Sequence, residues 1–219
     1  PGSLGLLEEL AKKYAAIRDT SQPAINKKSV IIFAADHGVT EEGISAYPAE
    51  VTPQMVQNFL DGGAAVNVLA KQQNAEILVV DIGVNHKFAP HPELLDRKIA
   101  FGTRNLAKEP AMTRAEAEEA IAIGIQIAAQ LADTDVDLLA TGEMGIGNTT
   151  ASSAIFSVLS GLPVNKVTGR GTGIDDKTLD KKISVIQQAL ERHAPDLDDP
   201  IDILAKVGGF EIGGIKGLL

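Results

Sequence analysis

The chain has 219 residues, 44% of them apolar and 22% charged, an ordinary globular composition with length enough for one good core or one core and a small appendage. A net charge of −9, with 20 Lys and Arg against 29 Asp and Glu, argues against a nucleic-acid binder, which needs a basic surface. The absence of cysteine excludes disulfides, thiol catalysis and cysteine-ligated metals. The apolar runs are too short and broken to span a membrane. No basic stretch leads into a long apolar run at the start, so no secretory signal is read and a cytoplasmic location is expected.

In chain order, Leu4 to Ile17 places Leu4, Leu7, Leu10, Ala11 and Tyr14 on one helical face. Ser29 to Ala35 is a β-rich apolar run ending in Asp36-His37-Gly38. Thr52 to Ala70 reads as a single helix, with Thr52 as cap and Pro53 at the first helical position. Ile77 to Ile82 is a second strand, ending in Gly83. Thr113-Arg-Ala-Glu116 is a capping box that opens a helix to Leu131. Val136 to Ala140 is a third strand, followed by Thr141-Gly142-Glu143 as its turn. Helices follow over Thr149 to Leu159 and Asp176 to His193, with a surface connection from Ala194 to Pro200. Short runs apolar on both faces, alternating with helices, predict an α/β domain with a buried parallel sheet. The first helix is expected to belong to a separate helical element, giving 1–20 and 21–219 as the two parts. The abrupt apolar end, Ile203 to Leu219, and the start without Met suggest part of a longer chain.

The strongest chemical signal is Thr141-Gly-Glu-Met-Gly-Ile-Gly-Asn-Thr-Thr150, between a strand and a helix. Gly145 and Gly147 would let backbone N–H groups approach a ligand, and Asn148, Thr149 and Thr150 add side-chain donors. A phosphate there would meet the positive end of the helix. The competing reading is a plain glycine-rich turn with a Thr cap. Glu143 sits at the carboxyl edge of the sheet, where ligands of open α/β sheets bind, or it simply caps the helix. A second candidate is Thr168-Gly-Arg-Gly-Thr-Gly173, whose alternating glycines could form an anion nest, with Arg170 and Lys182 as cations or as ordinary surface charges. A third is Asp36-His37-Gly38 with Tyr47-Pro48 and Thr52 downstream. A metal site of Asp36, His37, Asp81 and His86 is discounted, because no pair has helical ligand spacing. Neither acidic pair, Asp175-Asp176 or Asp198-Asp199, ends an apolar strand, so a magnesium–pyrophosphate site is unsupported.

Five segments then occur in order: Pro1-Gly-Ser-Leu-Gly5, Ala35-Asp-His-Gly-Val39, Tyr47-Pro48 with Val51-Thr52, Gly142-Glu143 through Gly147-Asn-Thr-Thr150, and Lys206-Val-Gly-Gly-Phe210. Together they resemble the nicotinate-nucleotide–dimethylbenzimidazole phosphoribosyltransferase family along the whole chain. The resemblance implies a Rossmann-like parallel sheet flanked by helices, with a small helical domain built from both chain ends and incomplete here. It implies a homodimer without cofactor or metal. It also implies transfer of phosphoribose from nicotinate mononucleotide to 5,6-dimethylbenzimidazole, with anomeric inversion, giving α-ribazole 5′-phosphate and nicotinate.

By residue, the resemblance places Glu143 in the active site. It places Gly145, Thr149, Gly171 and Lys182 near the nucleotide phosphate, where the reading of the turn itself adds Gly147 and Asn148, and Tyr47, Met55 and Met144 beside the base. The family's general-base glutamate lies in an Arg-Leu-Gly-Glu-Gly motif beyond Leu219, and Glu211 does not match it. A non-catalytic member that binds the nucleotide or the base is therefore the alternative function.

Overall fold

The computed structural model describes residues 2–219. Its elements are α1 (Leu6–Ile17), β1 (Lys28–Ala35), a 3-10 turn (Gly38–Glu42), α2 (Val51–Leu60), α3 (Ala65–Gln72), β2 (Ala75–Gly83), β3 (Leu94–Asp96) and α4 (Arg114–Ala132). They continue with β4 (Leu138–Met144), α5 (Asn148–Ser160), α6 (Val164–Val167), α7 (Asp176–His193), α8 (Pro200–Val207) and α9 (Phe210–Leu218). The sheet is four-stranded in the order β3-β2-β1-β4, and every pairing is parallel. The chain is therefore an α/β fold with helices over the sheet, as its alternating pattern predicts.

β1 is the central strand, and its alternation feeds two cores. Ile31, Phe33 and Ala35 join Ile82, residues Ala117, Ala120, Ile123 and Ile127 of α4, and Phe210 and Leu218 of α9. Ile32 and Ala34 face the other way, onto Val79, Val56 and Phe59. A third cluster ties α5, α7 and α8 through Ala154, Ile186, Ile203 and Val207.

Several boundaries differ from the sequence reading. The single helix expected over 52–70 is two, because Asp61-Gly62-Gly63 ends α2 and Gly62 takes a φ of 74°. The helix opens at Val51, so Thr52 is inside it rather than its cap. The third strand runs 138–144 rather than 136–140, so Thr141-Gly142-Glu143 are strand residues and not its turn. β4 is also not buried on both faces, since it is the outer strand of the four. The short strand β3 and the helix pair α8 and α9 were missed, and the apolar chain end is well packed. By contrast, Thr113 caps α4 as predicted, its Oγ1 accepting from the Glu116 N–H at 3.2 Å. Of the predicted face, Leu7 and Leu10 lie on α1 and Leu4 just before it, and all three are exposed.

α9 owes its place to glycine. A Cβ at Gly217 would sit 1.9 Å from the Ile121 carbonyl oxygen, and one at Gly124 would sit 2.1 Å from that of Gly214. The two backbones therefore touch along a seam where no side chain fits. Ala at a helical Gly normally gains about 1 kcal/mol of propensity. Here overpacking costs about 1–3 kcal/mol and the contact is with rigid backbone, so the clash should win. Gly217→Ala is expected to lower the urea midpoint of unfolding; a raised midpoint would show that the seam gives way.

Candidate active site

The strand order reverses direction between β1 and β4. The chain moves from β1 outward to β2 and β3, then returns to the other side of β1 as β4. In open parallel sheets the crevice at such a switch point, off the carboxyl ends of the strands, is where ligands bind. Asp36 and His37 leave β1 there, and Gly145, Ile146 and Gly147 leave β4 beside them.

The two strand ends are pressed together. A Cβ on Gly145 would fall 2.2 Å from the Ala35 carbonyl oxygen, so this glycine is required by close packing. Gly147 has a φ of 95°, the left-handed conformation that turns the chain into α5. The Ile146 N–H is taken by Thr52 Oγ1 at 3.0 Å, which fastens the turn to α2. Asn148 and Thr150 donate their N–H groups to the carbonyls of Gly145 and Gly147, while those of Gly147 and Thr149 have no hydrogen-bond acceptor among the described residues. The turn thus offers fewer donors than its sequence promised. Asn148 uses its side-chain amide to hold Glu143 Oε2.

Three predicted phosphate residues meet on three separate elements. Lys182 Nζ, from α7, donates to Thr149 Oγ1 at 2.7 Å and to the Gly169 carbonyl at 3.3 Å. Gly171 has a φ of 52°, and a Cβ there would lie 2.8 Å from Thr149 Oγ1 and 3.4 Å from Lys182 Nζ. Lys182 is 1% exposed, so it is not the solvated surface lysine of the bland reading. No carboxylate forms an ion pair with it among the described residues. Burial alone pushes its ammonium down to about 8.

Arg170 does not join this group. It pairs with Asp176 and donates to the Ile174 carbonyl at 2.8 Å, and so braces its own loop. Gly173 also donates back to the Arg170 carbonyl, so the loop is a turn rather than an open nest.

Glu143 lies at the mouth of a cavity of about 420 Å³ whose walls include Ile32, Met55 and Phe59. Met55 and Met144 both pack against the same apolar cluster. Tyr47 stands apart and is 55% exposed. Its loop is tied to the 168–173 turn, because Ala46 N–H donates to Thr172 Oγ1 at 3.0 Å. Desolvation by the surrounding walls, and then the negative charge of Glu211, push the Glu143 carboxyl up, while His37 opposes them.

Sequence reasoning singled out His37 but missed its partner. His37 Nε2 lies 2.9 Å from Glu211 Oε1, and both side chains are fully buried. Burial, the largest single influence, works against the ring's proton, but the adjoining Glu211 carboxylate together with Asp36 and Glu143 pushes the imidazole up. Two members of the metal set discounted from the sequence, Asp81 and His86, are engaged with other partners. Asp81 binds Lys98 at 2.6 Å and His86 stacks edgewise on Phe88. Asp36 accepts from the Asn85 N–H at 2.8 Å, and desolvation still raises its carboxyl.

The buried ammonium makes a pH prediction. The unfolded chain holds this proton to about pH 10.4, so between about 8 and 10.4 the unfolded state binds more protons and stability rises with pH. Lys182→Met should abolish that part of the rise and gain about 1–2 kcal/mol at pH 7, allowing for solvent screening. Denaturant unfolding of both proteins at pH 7 and pH 10 checks it; parallel stability curves would refute the buried charge.

Comparison with known proteins places the chain in a family. The sequence model of a family described as Phosphoribosyltransferase matches residues 1–219. The nicotinate-nucleotide–dimethylbenzimidazole phosphoribosyltransferase of Chloroflexus aurantiacus is 57% identical over 218 residues, covering all of this chain and 62% of the relative. Its namesake from Geobacter sp. strain M21 is also 57% identical, with 63% of the relative covered. The crystal structure of CobT from Thermus thermophilus superposes with a TM-score of 0.94 at 46% identity, over all of this chain and 65% of that one. The chain thus spans somewhat under two thirds of the length of these relatives. Family profile, relatives and superposed fold agree over every residue, and the chain belongs to the nicotinate-nucleotide–dimethylbenzimidazole phosphoribosyltransferase family.

Proposed function

We propose that the cleft binds nicotinate mononucleotide and a benzimidazole-type base and serves phosphoribosyl transfer between them. The observation that carries this reading is Lys182, a buried cation with no carboxylate partner among the described residues, placed against Thr149 and Gly171. Such a group is costly unless an anion completes it, and the 5′-phosphate of a nucleotide is the matching anion. Gly145, Gly147, Asn148 and Thr149 shape the adjoining turn. The flat base belongs in the apolar cavity beside Glu143, with Met55 in its wall, Met144 in the same apolar cluster and Tyr47 closing from its loop.

In the reaction, a ring nitrogen of the base donates its electron pair to the anomeric carbon. Nicotinate leaves from the opposite face with the electrons of the broken bond, and the configuration inverts from β to α. Positive charge develops on the ribose, and the Glu143 carboxylate, steadied by Asn148, is suited to stabilise it. The proton on the second ring nitrogen then passes to a general base. In the family that base is the glutamate of the Arg-Leu-Gly-Glu-Gly motif, which these 219 residues do not contain.

Calorimetry should find nicotinate mononucleotide binding to this chain. Lys182→Ala should weaken that binding and leave dimethylbenzimidazole affinity unchanged; equal nucleotide affinity in variant and wild type would remove Lys182 from the phosphate site. In protein that releases nicotinate when both substrates are present, Glu143→Gln should slow release by about 10²–10³ at unchanged melting temperature. Unchanged turnover would reduce Glu143 to a structural carboxylate. Nucleotide binding without nicotinate release by the 219-residue chain would make it a binding protein.

A further inference from the structure

One buried pair has no part in the chemistry above. His37 and Glu211 meet at 2.9 Å with side chains 0% and 1% exposed. His37 closes the end of β1, and Glu211 stands in the first turn of α9, far away in sequence. The fold keeps this space open for them. A Cβ on Gly209 would fall 2.5 Å from His37 Cε1 and 2.5 and 2.6 Å from the two Glu211 carboxylate oxygens.

The other side of the ring carries the glycine turn. A Cβ on Gly145 would be 3.3 Å from His37 Cδ2, and one on Gly147 would be 3.2 Å from His37 Cβ. The imidazole is therefore the floor on which residues 145–147 rest. His37 Nδ1 and Glu211 Oε2 are buried and have no partner among the described residues. The ring is consequently oriented by one hydrogen bond, and that bond comes from α9. A buried, half-satisfied polar pair is a poor stabilising device, since apolar residues of equal volume would serve stability as well or better.

We propose that His37 and Glu211 are positioning residues: Glu211 fixes the imidazole, and the imidazole fixes the glycine turn. The anion affinity of the turn thereby depends on the first turn of α9. The charged groups facing the ring are Glu211 from α9, Asp36 from its own strand end and Glu143 from β4. A ring that holds its proton more tightly than usual among these carboxylates offsets part of their repulsion of a phosphate. The proposal rests on the nucleotide-binding reading for its affinity measurement but not for its structural one.

The test uses Glu211→Gln, which keeps volume and a hydrogen-bonding oxygen but removes the charge. Three readouts are taken on the full 219-residue chain: imidazole nitrogen-15 shifts of His37, amide shifts of Gly147 and Thr149 without ligand, and affinity for nicotinate mononucleotide. The variant is expected to show a ring that gives up its proton at lower pH than in wild type, displaced turn amides, and affinity weaker by roughly tenfold, within the range for coupled neighbours. His37→Gln should give a similar loss, and the double variant no more than either alone.

A lower melting temperature with turn amides and affinity unchanged would make the pair purely structural and overturn the proposal. Additive losses in the double variant would overturn it too. Wild type that binds no nicotinate mononucleotide would refute the proposed function, while displaced turn amides in Glu211→Gln would still support the positioning role. Should Glu211→Gln fail to fold, His37→Gln carries the amide and affinity readouts under the same criteria.

Discussion

A lysine ammonium taken out of water without a carboxylate to meet it is the constraint on which this site turns. Lys182 has a hydroxyl and a carbonyl for company, which orient a charge but do not neutralise it. Removing such a charge from water is among the more expensive acts in folding, and burial has already weakened its hold on its proton. Something else in the molecule must hold α7, the 168–173 turn and α5 together against that cost. The third core, where Ala154 of α5 and Ile186 of α7 meet Ile203 and Val207, joins two of these elements by ordinary apolar packing. The helices that carry Lys182 and Thr149 are thus joined by apolar contacts.

The same separation of labour holds at the centre of the sheet. β1 contributes alternate residues to two cores, which fixes its register and hence the position of Asp36 and His37 at its end. β4 then delivers Gly145 so close to β1 that only a residue without a side chain can pass. Precision at the crevice is a product of backbone contact, which varies less than the conformation of long side chains.

Much of this was legible in the residues. Three strands, the capping box at Thr113 and the strand–glycine–helix passage at 141–150 followed from periodicity and cap chemistry. Thr149 and Lys182 were visible as candidate phosphate ligands in two separate constellations, the second including Gly171, and only the resemblance joined the two. What escaped has physical reasons. Gly62-Gly63 broke a helix whose polar–apolar pattern continues smoothly across the break. β4 was read short because Thr141 and Gly142 have turn-like character, yet pairing with β1 through Ala34↔Met144 overrides it. α9 is rich in glycine, which propensity counts against a helix, but the glycines serve the contact with α4. Glu211 looked like an unmatched carboxylate because its partner lies 174 positions away, and no local pattern encodes that.

The hydrogen bond from the Ile146 N–H to Thr52 has a thermodynamic corollary. Thr52 and Met55 are three residues apart on α2, so they ride on one rigid rod. The wall of the apolar cavity and the glycine turn are therefore joined mechanically across the crevice. Occupants of the two compartments cannot be energetically independent if either one moves that rod. Whatever factor the first imposes on the affinity of the second is returned in full, whichever arrives first.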